Sequence, residues 1–259
     1  MLSKNQISRI RLLHQKKYRD ELNLFIAEGE KVVSELIASD FKIHSIYATE
    51  EATIGKLAAK AGKRPYVEII KEEELEKISA LTTPQGVLAV AEVPKPLSVN
   101  KINTQQLILV LDEIKDPGNL GTIIRIADWF GFQDVVCSEN SADAFSPKVV
   151  QAAMGSLFRI NILYAALPAF LKEVTVAGKL PVYGSLLDGE NIYQAKLNKR
   201  GCIIIGNESK GISAALLPFI TDKISIPSFS KGKIDSLNAA MAAAIVCSEF
   251  RRRVEEEGR

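Results

Sequence analysis

The sequence predicts an α/β protein of two domains, the second built on a parallel sheet covered by helices. Three observations predict it. A chain of 259 residues exceeds one average domain and fits two modest ones. Strand-like apolar runs alternate with helical runs along almost its whole length. One stretch without periodicity, Pro94-Lys95-Pro96-Leu97-Ser98-Val99-Asn100, interrupts that alternation and carries two prolines. The boundaries read from it are a first domain over 1–93, a linker over 94–105 and a second domain over 106–259.

In the first domain, strand-like runs at Leu24–Ala27, Ile43–Ala48, Tyr66–Ile70 and Val87–Val93 are separated by helical runs at Lys31–Ala38, Ile54–Ala61 and Glu72–Ile78. The second domain opens with Leu107–Leu111, a continuous apolar run of the kind found in a strand buried on both faces. Further runs at Asp134–Cys137, Ile160–Leu163, Pro181–Tyr183, Cys202–Ile205 and Lys223–Ile226 alternate with helical segments. A last helix over Ser236–Arg253 is rich in alanine, which lets another backbone or a ligand come close and also maximises helix propensity. Its expected N-cap is Asp235 or Ser236.

Composition narrows the class. With 47% hydrophobic and 25% charged residues the chain can bury a sizeable core and lacks the polar bias of disorder. No apolar run approaches the ~20 residues that cross a bilayer, so no membrane association is expected. The N-terminus has no apolar signal core. Cys137, Cys202 and Cys247 are an odd number, widely spaced in apolar surroundings, and read as reduced core thiols of a cytoplasmic protein. No metal site is expected.

The net charge of +2 says little about partners, but its distribution says more. Lys4, Arg9, Arg11, Lys16, Lys17 and Arg19 all precede the first acidic residue, Asp20, on a segment that could form one amphipathic helix. That is either a footprint for phosphates or a solvated helix face.

Only two histidines exist, His14 and His44, both in the first domain. Chemistry in the second domain therefore falls to Arg, Lys, Asp, Glu, Ser and Asn. There is no CxxC, no P-loop and no GxGxxG, so a dinucleotide or nucleotide-hydrolysing α/β enzyme lacks its hardware. Three polar segments instead follow predicted strands, where open α/β sheets place ligands. The first is Asp116-Pro117-Gly118-Asn119-Leu120-Gly121, opening a helix whose apolar arc, Leu120, Ile123, Ile124, Ala127 and Phe130, leaves Arg125 almost opposite. The second is Gly206-Asn207-Glu208-Ser209-Lys210-Gly211, whose glycines permit close backbone approach. The third runs from Ile226-Pro227 through polar Ser228–Lys233 to Asp235-Ser236-Leu237-Asn238.

Together these segments resemble the three signature motifs of the SpoU (TrmH-like) family of RNA 2′-O-ribose methyltransferases, in the SPOUT superfamily. The resembling residues are Asn119 through Ala127 continuing to Phe130-Gly131, then Ile205 through Ile212, then Ile226-Pro227 with Ser236-Leu237-Asn238 and Ala242. Ser146-Pro147-Lys148-Val149-Val150 with Met154-Gly155-Ser156 is similar to a family segment between the first two motifs, and Phe25-Ile26-Ala27-Glu28-Gly29 resembles the family's substrate-binding front domain. Two departures are visible: Ala153 stands where the family has serine, and Ser209 where it has glycine.

The resemblance implies a C-terminal parallel-sheet methyltransferase domain threaded as a trefoil knot, behind a smaller α/β/α RNA-binding domain like certain ribosomal proteins. It also implies S-adenosylmethionine as cofactor, RNA as substrate (ribosomal favoured over transfer RNA), and a homodimer through the C-terminal domain. By similarity, Arg125 acts on the 2′-hydroxyl, with Asn119, Glu208 and Asn238 positioning the reacting groups. Gly206, Ile226 and Leu237 would hold the cofactor through main-chain groups, and Leu186 and Ile205 would wall it. Arginine normally only donates, so Arg125 acts either as a base aided by a neighbouring anion or as a stabiliser of the alkoxide while water takes the proton. The competing reading is a catalytically inactive RNA-binding or ribosome-assembly factor.

Overall fold

The structure, a computed structural model, describes residues 1–50, 53, 66–230 and 236–256. The helical run expected over 54–61 and the polar residues 231–235 lie outside the described residues. The first described elements are α1 (Lys4–Leu12), α2 (Lys16–Leu22), β1 (Leu24–Glu28), α3 (Glu30–Ala38), β2 (Ile43–Ala48), β3 (Glu68–Ile69), α4 (Glu72–Ile78) and β4 (Val87–Glu92). After them come β5 (Leu107–Leu111), α5 (Pro117–Trp129), β6 (Asp134–Ser138), α6 (Pro147–Ala153), β7 (Asn161–Ala165), α7 (Leu167–Gly178), β8 (Val182–Asn191), β9 (Gly201–Ile205), β10 (Asp222–Ser225) and α8 (Ala239–Glu256). Two compact units result, Met1–Lys95 with Asp143–Arg159, and Pro96–Ala142 with Ile160–Arg259.

The first unit is a four-stranded sheet in the order β1-β4-β2-β3, with β4 antiparallel to both neighbours and β3 parallel to β2. Its core includes Ile10, Leu13, Ile26, Tyr47, Leu75, Ile78, Leu88 and Val90. The basic N-terminal segment is not one helix. Ser3 and Gln6 form a capping box that starts α1. Leu13 then turns into the core and His14 Nε2 meets the Ile78 carbonyl at 3.0 Å, so the chain restarts as α2 at Lys16. Asn23, in the left-handed region at φ 54°, ends α2.

Residues 143–159 are continuous in sequence with the second domain yet pack within the first unit. Aromatic rings explain why. Phe25 lies 5.1 Å from Phe145 and Phe41 lies 5.2 Å from Phe158, centroid to centroid, and Arg159 pairs with Glu35. Gly155 sits at φ 95°, where a Cβ would stand 2.6 Å from the Glu35 side chain.

The second unit is a six-stranded sheet in the order β10-β8-β9-β5-β6-β7, parallel throughout. Every residue of β5 and β9 is buried, as continuous apolar runs require when helices cover both faces. From β5 the chain builds outward through β6 to β7, then returns to place β8 and β9 on the other side of β5. The strand order therefore reverses between β5 and β9, and the crevice outside their carboxyl ends is where such sheets take ligands. Helix α8 packs against α5 and β9, and its Ala239, Ala240 and Ala243 are buried. Much of the alanine enrichment of the last helix is thus used inside the chain. Cys137, Cys202 and Cys247 are free and buried, and burial pushes each thiol up to about 12.

Candidate active site

Two loops meet at the reversal point. After β5, Asp112 accepts a hydrogen bond from the Ser213 amide at 2.7 Å, tying the end of β5 to the segment that follows β9. Asp116 caps α5 by accepting from the Asn119 amide at 2.8 Å, with Pro117 in the first turn. That cap fixes where the Asn119 side chain leaves the helix. Between them Glu113 is held at φ 53°, outside the usual range for a residue with a Cβ. Its amide donates to Ser138 Oγ at 2.9 Å and its carbonyl accepts from Asn207 Nδ2 at 2.9 Å, which hold it there. Lys115 beside Glu113 keeps its carboxyl below the ordinary range.

After β9 the Gly206–Gly211 loop folds back on itself. Asn207 and Gly211 exchange main-chain hydrogen bonds of 3.0 and 2.9 Å, and Asn207 Oδ1 accepts from the amides of Ser209 and Lys210. A Cβ on Gly206 would fall 2.4 Å from the Gly211 carbonyl carbon, so only glycine permits this approach. Ser209, the departure from the family pattern, is accommodated without a positive φ; Gly211 supplies that at +69°.

Glu208 stands at the tip of this loop, where its Oε1 accepts from Asn119 Nδ2 at 2.6 Å. Asn119 Oδ1 in turn accepts from Asn238 Nδ2 at 2.9 Å. The Asn238 Oδ1 caps α8, accepting from the amides of Ala240 and Met241 at 2.9 and 3.3 Å. The cap of the last helix is therefore Asn238 and not Ser236, whose hydroxyl instead donates to the Glu208 carbonyl at 3.1 Å; Asp235 lies outside the described residues. The result is a directed relay, Asn238 to Asn119 to Glu208, joining three helix and loop ends that are 89 and 119 residues apart.

A cleft of about 630 Å³ opens beside the relay. Leu186, Ile205, Gly206, Ile226 and Leu237 all line it, together with Glu208. That volume lies within the ~300–1,000 Å³ of small-molecule sites, and the mix of apolar walls and main-chain groups is typical of them. Ser185, Leu187, Asp188 and Ser236 also line it. The sequence signalled Ser236, which lies in the third motif, but none of the other three. Strand β8 was expected to stop at Tyr183, but it runs on to Asn191 because its far end pairs with β10.

Arg125 is not in the relay. It is exposed on α5 and no described residue bonds or pairs with it. Six residues beyond Asn119, it points about 120° away and lies about 9 Å farther along the axis. Trp129, one turn on, is 84% exposed beside it. Of the basic N-terminal residues, Lys4, Arg9, Arg11, Lys16 and Lys17 are exposed, Lys16 pairing with Asp20 at 2.8 Å. Arg19 is only 3% exposed. Its guanidinium donates to Asp143 at 2.5 and 3.0 Å and to the Leu13 carbonyl at 2.8 Å, so it offers no surface to a phosphate.

Comparison with known proteins covers the same stretch of chain. The model of the SpoU rRNA Methylase family matches residues 106–248, and that of the MRM3-like substrate binding domain matches residues 4–89. The chain is 35% identical over 240 residues to the 23S rRNA (guanosine(2553)-2′-O)-methyltransferase RlmP of Bacillus subtilis, covering 92% of this chain and 93% of that protein. A TrmH-family protein from Porphyromonas gingivalis superposes with a TM-score of 0.87 at 38% identity, covering 98% and 99% of the two chains. An AdoMet-bound rRNA methyltransferase from Sinorhizobium meliloti does so with a TM-score of 0.84 at 31% identity, covering 98% and 97%. The two loops and the capped start of α8 that build the relay all fall inside the first matched region, and the chain belongs to the SpoU rRNA methylase family.

Proposed function

We propose that the chain transfers a methyl group from S-adenosylmethionine to a ribose 2′-hydroxyl of ribosomal RNA. The observation that carries this reading is the Asn238–Asn119–Glu208 relay at the rim of the 630 Å³ cleft. The cleft fits the cofactor: Leu186, Ile205 and Ile226 offer apolar walls to a purine, and the folded Gly206–Gly211 loop brings main-chain groups close. When bound, that cofactor supplies a methyl group already activated by its sulfonium, so neither a metal nor a covalent enzyme intermediate is needed.

The chain's own residues then do the rest. Leu237 and Gly206 hold the cofactor through main-chain groups. Glu208 and Asn238 fix the amide of Asn119, which orients the ribose. Holding nucleophile and methyl in line is where most of the rate comes from. Arg125 meets the 2′-oxygen as its negative charge develops, a donor aimed at charge absent from the ground state, while water takes the hydroxyl proton.

Because Arg125 points away from the relay of its own chain, a second copy completes the site. In this homodimer, formed through the C-terminal domains, the exposed Arg125 and Trp129 face the neighbouring subunit and its RNA. The close approach at Gly206 and the contact of Ser236 with Glu208 support a chain that passes one loop beneath another, the trefoil knot of the family. Residues 1–93 bind the RNA, with Lys4, Arg9, Arg11, Lys16 and Lys17 toward phosphates; 94–105 link; 106–259 methylate. The setting is the cytoplasm. Incubating the protein with methyl-tritiated S-adenosylmethionine and 23S rRNA lacking its ribose methyl groups should label one ribose 2′-oxygen; label appearing on a base, or none on RNA, overturns the reading.

A further inference from the structure

The second unit carries another concavity, at the opposite end of its sheet from the cleft. It is a groove of about 860 Å³ lined by residues at the entrance to three adjacent strands: Lys179 before β8, Lys199 and Arg200 before β9, and Thr221 before β10 with Asp222 at its start. Three cations thus stand against one carboxylate, in a chain whose net charge is only +2. Asp222 is itself engaged by the Thr221 hydroxyl at 2.6 Å. All three cationic residues are exposed, and Arg200 donates to the Gln105 amide oxygen at 3.4 Å. Gathering like charges in a concavity costs energy that an anion would relieve, and the groove focuses their field outward.

We propose that this groove is a second contact for the RNA substrate, holding its phosphodiester backbone while the target ribose is in the cleft. The proposal rests on the reading that the substrate is RNA. The cations come from two segments ahead of neighbouring strands, an arrangement suited to successive phosphates along a chain. The distance also fits. Gly201 and Ile205 mark the two ends of β9, about 13 Å apart at ~3.3 Å per residue, a span that a few nucleotides cover. Contacts of this kind position the RNA and carry no sequence information, so they add affinity and register to whatever the cleft selects.

The test is a Lys179→Gln/Lys199→Gln/Arg200→Gln variant of the full chain, with binding to a 23S rRNA fragment measured across a salt series. Losing three phosphate contacts should weaken binding at least tenfold at ~0.1 M salt and flatten the log–log salt slope by about two. Calorimetric affinity for S-adenosylmethionine should not change. Unchanged RNA affinity and slope overturn the proposal. If the variant fails to fold, acetylation footprinting of the wild-type protein decides: RNA should protect Lys179 and Lys199, and full modification of both in the complex overturns the proposal. Failure of wild-type protein to bind or methylate the RNA would strike the proposed activity and is read out separately.

Discussion

Two arginines on two helices meet opposite fates. Arg19 of α2 is buried, and its guanidinium is satisfied by Asp143 and by the Leu13 carbonyl. Arg125 of α5 is exposed, with no partner among the described residues. A guanidinium taken out of water must be paired to be tolerated, so Arg19 belongs to the fold of the first unit and its removal would strand a carboxylate. Arg125 holds nothing in place, and α5 is fastened by its cap, by Asn119 and by α8 without it. A charged side chain that costs the fold nothing to lose is where activity and stability can be separated most cleanly.

The sharpest way to break that contrast is Arg125→Ala. Transfer should fall by about 10³-fold or more, the scale of losing a donor aimed at developing charge. Melting temperature should barely move, since surface changes stay within about 0.5 kcal/mol, and calorimetric affinity for S-adenosylmethionine should be retained. A lost cofactor affinity would instead place Arg125 in the cleft.

Arg19→Ala should show the reverse. Removing one partner of a buried pair costs about 3–5 kcal/mol, enough to lower the melting transition by about 10 °C at ~2–4 °C per kcal/mol. The double change Arg19→Met with Asp143→Leu should recover most of it. RNA affinity measured well below the transition should stay near wild type, whereas Lys17→Gln should weaken RNA binding and leave stability alone.

The two arginines also mark what a sequence discloses. Local rules place elements well: Ile43–Ala48, Glu72–Ile78 and Leu107–Leu111 have the bounds that their periodicity and propensity dictate. They fail where a distant partner decides. Nothing near Arg19 announces Asp143, 124 residues away, and the half-buried Phe145 and buried Phe158 that bring that segment to the first unit are ordinary apolar residues in the sequence. The extension of β8 to Asn191 is likewise set by β10. At the rim of the cleft, only the order of three motifs hinted that Asn119, Glu208 and Asn238 meet; their hydrogen bonds span 89 and 119 residues, beyond the reach of any spacing rule. Asn207 was within reach, because an Asn followed two and three residues on by amides is a turn former.

Within the relay the effects should be smaller. Glu208→Ala leaves the partly buried Asn119 amide without its acceptor. Hydrogen bonds to a charged group are worth about 1.5–3 kcal/mol, so kcat/KM should drop about 10- to 100-fold. Glu208→Gln, which can still accept from Asn119, should recover part of the loss; no recovery would point to the negative charge itself as the requirement.

The smallest effect separates the two jobs of Asn238. Its oxygen caps α8 and its amide nitrogen donates to Asn119. Asn238→Ala loses both, and the cap alone is worth about 1 kcal/mol, a melting shift of about 2–4 °C. Asn238→Asp keeps an acceptor for the Ala240 and Met241 amides but has no proton to give Asn119. It should therefore melt near wild type while sharing the activity defect of Asn238→Ala. If the aspartate variant restores activity along with stability, the relay is a helix cap and nothing more, and the positioning of Asn119 rests on Glu208 alone.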